Sequence, residues 1–241
     1  MRVLVLGGTT EARRLAGLIA GTVEVITSLA GRTTDPLRPA GEVRIGGFGG
    51  VAGLSGYLRD ERIDAVVDAT HPFAATISGN AAAACAASGV PLLIVNRPGW
   101  TAGPGDEWHR VASLPEAAGM LPSLGRRVFL TTGRQGLAHF AGLDGCWFLA
   151  RSVEPPSGDV PRHLEVLLDR GPFTVAGERE LITRHRVDVL VTKDSGGADA
   201  KLVAARELGV PVLMVSRPPL PDAITVSTAD AAASWLRTIR R

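Results

Sequence analysis

Two short segments carry a dense set of chemistry-bearing side chains. In Asp68-Ala69-Thr70-His71-Pro72-Phe73-Ala74, a carboxylate, a hydroxyl and an imidazole stand beside a proline that fixes the turn. Buried polar groups need partners, so Asp68 also suits a cap for the next helix and His71 a satisfied core histidine. The second segment is Thr192-Lys193-Asp194-Ser195-Gly196-Gly197, followed by Lys201. Small glycines beside a lysine suit an anion at a helix start. Of the 26 basic residues only Lys193 and Lys201 are lysines. A lysine is a narrow, flexible point charge and an arginine a wide planar fork, so a site that takes one need not take the other. Arg97, Arg134 and Arg217 also follow apolar runs. Together with the two lysines they make a field suited to a ligand with several carboxylates.

A third segment, Gly7-Gly8-Thr9-Thr10-Glu11-Ala12, follows the first apolar run and opens a helix. Backbone N–H groups and the helix dipole receive a pyrophosphate at such a place, although the adjacent glycines depart from G-x-G-x-x-G and also suit a plain strand-to-helix turn. The second strand ends at Ser28-Leu29-Ala30-Gly31-Arg32-Thr33. An NAD site normally places an acid there for the ribose 2′-hydroxyl; a hydroxyl at Ser28 and a cation at Arg32 suit a 2′-phosphate, hence NADPH. Arg32 as a solvated loop charge is the competing reading. Gly46-Gly47-Phe48, after the next strand, either passes under the adenosine or turns the chain. No metal site is expected. Cys85 and Cys146 form no C-x-x-C pair, and His109, His139, His163 and His185 show no ligand spacing.

These segments need strands and helices to hold them. Short Val/Leu/Ile runs alternate with Ala-rich helical stretches, the pattern of parallel strands covered by helices on both faces. Strands are expected at 2–6, 23–28, 42–45, 64–69 and 91–95. Helices are expected at about 11–20, capped by Thr9 or Thr10, then through Leu54, Leu58 and Arg62, and after Pro72 as far as Gly89. The two halves repeat an order of signals. Arg2-Val3-Leu4-Val5-Leu6 resembles Arg127-Val128-Phe129-Leu130-Thr131, and Asp64-Ala65-Val66-Val67 resembles Asp188-Val189-Leu190-Val191. Gly89-Val90-Pro91 through Arg97-Pro98 resembles Gly209-Val210-Pro211 through Arg217-Pro218, and Val111-Ala112-Ser113 mirrors Val226-Ser227-Thr228. The order implies a duplicated architecture: an α/β fold of two similar Rossmann-like domains, each a doubly wound, mainly parallel sheet, with an interdomain cleft for ligand. Pro122, Ser123 and Gly125 place the boundary near 120–126. The expected domains are 1–122, binding NADPH, and 123–241, contributing to the substrate cleft.

With 241 residues, 45% of them hydrophobic, the chain can bury a core without disulfides. A net charge of +2 gives no polyanion signature, so nucleic acid is not an expected partner. The apolar stretch 81–95 contains Gly89 and Pro91 and falls short of the roughly 20 residues of a membrane span. No signal-peptide pattern opens the chain, and a cytoplasmic location away from membranes is the expectation. A short-chain dehydrogenase is excluded because the sole tyrosine, Tyr57, is followed four positions later by Glu61 rather than lysine. A two-lobed cytoplasmic protein that binds a polycarboxylate or nucleotide is the other class that would use such a cleft.

Taken together, Gly7–Ala12, Ser28 to Arg32, Asp68–Ala74, Lys193–Gly197 and Arg217-Pro218 resemble the precorrin-6A reductase family, across nearly the whole chain. The Asp-Ala-Thr-His-Pro-Phe-Ala and Lys-Asp-Ser-Gly-Gly segments are its specific marks. The resemblance implies an NADPH-dependent oxidoreductase of cobalamin (vitamin B12) biosynthesis that reduces one C=C bond of the macrocycle precorrin-6A, giving precorrin-6B. It implies a macrocyclic polycarboxylate as partner, with other enzymes of the same pathway as further candidates. On that basis Thr70, His71, Lys193 and Asp194 are the catalytic candidates. Gly7, Gly8, Thr9, Thr10, Glu11, Ala12, Ser28, Arg32, Gly46, Gly47 and Phe48 are assigned to the cofactor. Arg97, Arg134, Ser195, Gly196, Gly197, Lys201 and Arg217 are assigned to the substrate. The proton reaches the carbon beside the hydride acceptor from a side chain or from water.

Overall fold

The computed structural model describes residues 1–31 and 37–239. In chain order the elements are β1 (Arg2–Leu6), α1 (Thr10–Ile19), β2 (Glu24–Leu29), β3 (Glu42–Ile45), α2 (Gly50–Asp60), β4 (Ala65–Asp68), α3 (Ala75–Ser88) and β5 (Leu92–Val95). Then come β6 (Trp108–Val111), α4 (Leu114–Leu124), β7 (Arg127–Leu130), a 3-10 helix (Arg134–Phe140), β8 (Trp147–Ser152) and β9 (Leu164–Leu168). The chain continues through α5 (Val175–Arg184), β10 (Val189–Lys193), α6 (Ala200–Glu207), β11 (Val212–Val215), β12 (Ile224–Val226) and α7 (Ala229–Ile239). Among the described residues no helix is long and apolar enough to cross a membrane.

Two six-stranded, wholly parallel sheets result, in the orders β12-β5-β4-β1-β2-β3 and β6-β11-β10-β7-β8-β9. Read from the far edge, each is the Rossmann order 3-2-1-4-5-6. The sixth place in each is filled from elsewhere in the chain. β12, near the end of the chain, completes the first sheet, and β6, which directly follows the first sheet's β5, completes the second. One compact unit therefore comprises Met1–Pro98 with Pro218–Arg241, and the other Gly99–Arg217.

This corrects the boundary expected near 120–126, which covers the end of α4 and the turn before β7, inside the second unit. Each Arg-Pro pair, Arg97-Pro98 and Arg217-Pro218, marks a crossing, and the strand–helix pair after it serves the other sheet. The matched tails Val111-Ala112-Ser113 and Val226-Ser227-Thr228 lie at the ends of these exchanged strands.

The exchange is built into the cores. On one face of the first sheet Val3, Val5, Leu15, Ala16 and Val67 pack with Ala232, Ala233 and Leu236 of α7. Burying Leu236 alone is worth about 2 kcal/mol. The other face holds Leu4, Leu6, Ile26 and Val66 against Leu54 and Leu58 of α2 and Ala81, Ala84 and Cys85 of α3. Burial raises the Cys85 thiol to about 11, with the charge of Asp68 adding to the effect, so it stays protonated at neutral pH. A chain of residues 1–122 lacks β12 and α7 and is expected to give no cooperative thermal transition by circular dichroism. Residues 1–98 joined to 218–241 by a flexible linker are expected to melt cooperatively. Cooperative melting of 1–122 would contradict the exchange.

Candidate active site

In the first unit the site is assembled at the carboxyl ends of β1, β2, β3 and β4. Gly7 continues the β1 ladder, its N–H donating to the Ser28 carbonyl at 2.9 Å. A Cβ on Gly7 would lie 2.7 Å from Thr27 Cγ2, so only glycine lets helix and strand approach here. Gly8 has φ +109° and nothing within 4 Å of a Cβ position, leaving an open backbone surface before the helix. Thr9 caps α1: its hydroxyl accepts from Ala12 N–H at 3.1 Å and donates to the Ala69 carbonyl at 2.6 Å, tying the helix start to the end of β4. Ala12 is 1% exposed and packs in the core, so its side chain is a spacer. Thr10 is exposed, its hydroxyl accepting from Arg13. The first-turn N–H groups and the dipole remain the anion-binding feature, because helix-start amides have no intrahelical acceptor.

Glu11 would repel an anion at this position, and it is neutralised by Arg97 at 2.7 Å. Arg97, expected to bind substrate carboxylate, thus has one nitrogen committed within its own unit. Ser28 is 6% exposed and pairs in register with Arg44 of β3, whose Nη1 lies 3.2 Å from the Ser28 hydroxyl. Arg44 also donates to the carbonyls of Gly46 (2.6 Å) and Gly47 (2.7 Å) and lies 3.8 Å from the Phe48 ring centroid. The Phe48 and Tyr57 rings meet edge to face. Arg32 lies outside the described residues. Gly46, at φ +119°, and Gly47 have nothing within 4 Å of an added Cβ.

The carboxylate of Asp68, 1% exposed, accepts both the N–H (3.0 Å) and the hydroxyl (2.7 Å) of Thr70 through one oxygen. It positions Thr70 rather than capping α3, whose N-cap residue is Ala74. His71 is exposed, not a core histidine. Its Nδ1 accepts from Phe73 N–H at 3.2 Å, which puts the proton of the neutral ring on Nε2.

In the second unit Lys193 ends β10 and Asp194 follows it. Asp194 is 7% exposed and acts as an anchor: its carboxylate accepts from Trp100 N–H (2.9 Å) and Arg110 (3.1 Å), and its carbonyl from Arg217 Nε (2.6 Å). The Ser195 hydroxyl lies 3.3 Å from the Lys193 carbonyl, and Gly196 and Gly197 turn the chain at φ +66° and +80°. The Gly197 carbonyl accepts the Trp100 indole N–H at 3.0 Å, and the Lys201 ammonium sits 4.8 Å from the Trp100 ring centroid. Arg134 pairs with Glu154 at 2.9 Å.

Arg44, Trp100 and Arg110 are the residues that sequence reasoning missed. Arg44 had one usable signal, a cation two places before the glycine turn. Trp100 and Arg110 reach Asp194 over 94 and 84 positions, and no local spacing announces them. Among the described residues no cluster of three His, Cys, Asp or Glu side chains is arranged to hold a metal ion.

The model of the precorrin-6x reductase family CbiJ/CobK matches residues 2–237. The chain belongs to the precorrin-6x reductase family. Within it, the chain is 54% identical over 245 residues to a protein of Rhodococcus erythropolis named precorrin-6A reductase, covering 100% of this chain and 99% of the relative. It is 50% identical over 240 residues to a Mycobacterium tuberculosis protein of the same name, covering 98% and 97%. A solved structure titled CobK precorrin-6A reductase superposes with a TM-score of 0.93 at 46% identity, covering 99% of this chain and 97% of that one. The precorrin-6x reductase architecture thus accounts for both sheets.

Proposed function

We propose that this chain reduces one C=C bond of precorrin-6A with NADPH, yielding precorrin-6B in cobalamin biosynthesis in the cytoplasm. The observation that carries the reading is the start of α1 in a chain of this family: a glycine-opened helix N-terminus whose acid is neutralised by Arg97, beside a strand whose Ser28 stands in register with Arg44 of β3. These residues fit a phosphorylated dinucleotide. The first-turn amides of α1 would hold the pyrophosphate, and Ser28 with Arg32 and Arg44 would hold the adenosine end. NADPH supplies the hydride when bound.

The protein's own part is positioning. Asp68 fixes the Thr70 hydroxyl, and the turn at Pro72 holds His71 with Nε2–H as a donor. Lys201, Arg97, Arg134 and Arg217 are assigned to substrate carboxylates and Lys193 is kept as a catalytic candidate, with Asp194 and Arg110 holding the lysine loop in place. The proton comes from a side chain or from water; His71, its Nδ1 taken by the Phe73 N–H, serves as a hydrogen-bond donor.

Anaerobic mixing of the protein with precorrin-6A tests this, following nicotinamide absorbance and the macrocycle spectrum together. Oxidation is expected with NADPH and little with NADH. Failure with both, from folded protein that binds NADPH, overturns the substrate. Tight macrocycle binding with no nicotinamide consumption would restore the binding-protein reading.

A further inference from the structure

We infer that Arg44 reads the adenosine 2′-phosphate and sets the preference for NADPH over NADH. The inference rests on the NADPH reading above and names the residue that would enforce it. The parallel register pairs Ser28 with Arg44, putting both side chains on one face at the edge where the ribose of a dinucleotide is expected.

Arg44 differs in its company from the ion-paired arginines of the chain. Arg2, Arg97, Arg134, Arg151 and Arg206 each have a carboxylate within 2.6–2.9 Å. Arg44 is partly buried and is held by neutral acceptors alone: the Ser28 hydroxyl and the carbonyls of Gly46 and Gly47. Among the described residues no carboxylate lies within ion-pair distance of it. A guanidinium has five N–H donors, and three bonds leave donors for an incoming ligand. The clamp on two carbonyls and the stack on Phe48 fix the fork before any ligand arrives, so little rotamer freedom remains to be lost. A preorganised cation without a counter-charge is what a dianionic phosphate monoester requires. The glycines that follow, 46, 47, 49 and 50, have nothing within 4 Å of a Cβ position, which leaves room for that phosphate.

Calorimetric titration of the full chain tests this without turnover, using NADP+ against NAD+ and adenosine 2′,5′-bisphosphate against 5′-AMP. The wild type is expected to favour the 2′-phosphorylated member of each pair. Arg44→Gln is expected to weaken only those members, on the order of tenfold to a hundredfold, the range of a charged hydrogen bond. Ser28→Asp, which gives Arg44 a carboxylate partner, is expected to reverse the preference. A wild type that favours NADP+ while Arg44→Gln keeps the full preference overturns the inference and leaves the NADPH reading standing. Equal weakening of all four ligands by both Arg44→Gln and Arg44→Lys also overturns it, since Arg44 would then be a loop clamp. A wild type with no preference overturns the NADPH reading itself, and the inference with it.

Discussion

Gly53→Ala is expected to destabilise the protein by about 3 kcal/mol and to lower its Tm by roughly 6–12 °C, the ranges for an overpacked site in a chain of this size. It is also expected to weaken NADP+ binding at least tenfold. Alanine is the better helix former by about 0.8–1 kcal/mol, so propensity alone predicts the opposite sign. The close approach decides. A Cβ on Gly53 would lie 1.7 Å from the Phe48 carbonyl oxygen and 2.9 Å from its carbon, and backbone cannot swing aside as a side-chain tip does. Relief requires the Gly46–Gly49 turn to lift, taking Phe48 from Arg44 and the two carbonyls from its clamp. Gly56, one turn on, is the control: its Cβ would meet only the end of Arg59 at 3.7 Å. Gly56→Ala is therefore expected to raise Tm slightly and leave NADP+ affinity unchanged. Thermal melts and calorimetry of the two variants check the pair. A stable, tight-binding Gly53→Ala protein would mean that the turn does not shape the adenosine end.

Much of this fold is written locally. β1, β4, β7 and β10 are buried on both faces, so each is a short unbroken apolar run that ends in a glycine turn or a polar residue. Thr9 and Gly89 act as cap residues where expected, Gly89 at φ +67°. The exchange of β6 and β12 is different in kind. Four residues such as Trp108–Val111 carry the same signal whichever sheet they join, and the duplication makes the two destinations look alike. β8 and β9 lie outside the matched segments, and a 3-10 helix stands after β7 where the first unit has α1, so the repeat is a guide to strand order more than to detail.

The site divides along the same line. Thr9, Ser28 and Thr70 are legible because their roles depend on neighbours in sequence or on the strand end they occupy. The Arg97–Glu11 pair spans 86 positions, and the Ser28–Arg44 contact exists only through parallel register. Both are products of tertiary structure. Asp194 carries both signals: a carboxylate beside a lysine looks catalytic in sequence, and its bonds to Trp100 and Arg110 are those that a structural anchor would make.

That difference predicts an outcome for Asp194. Asp194→Ala leaves the Trp100 N–H and one Arg110 nitrogen without their acceptor. Breaking a buried pair costs roughly 3–5 kcal/mol, but Arg110 is 47% exposed and partly screened by water, which brings the expected loss to about 2–3 kcal/mol. Gly99 makes the test specific. A Cβ there would sit 2.9 Å from Asp194 Oδ2 and 3.0 Å from Oδ1, and the carboxylate is pinned by its own bonds. Gly99→Ala is thus expected to cost about 1–3 kcal/mol in the wild type, as overpacking does. With Asp194→Ala in place its further cost should nearly vanish, so urea unfolding of the four proteins would give a coupling energy of about 1–3 kcal/mol. An additive cycle would remove the contact. Kinetics separate the roles. A proton donor at 194 would make Asp194→Asn inactive at every pH with stability kept. An anchor makes Asp194→Asn less stable, with a partial loss of kcat and a raised KM as the lysine loop loosens.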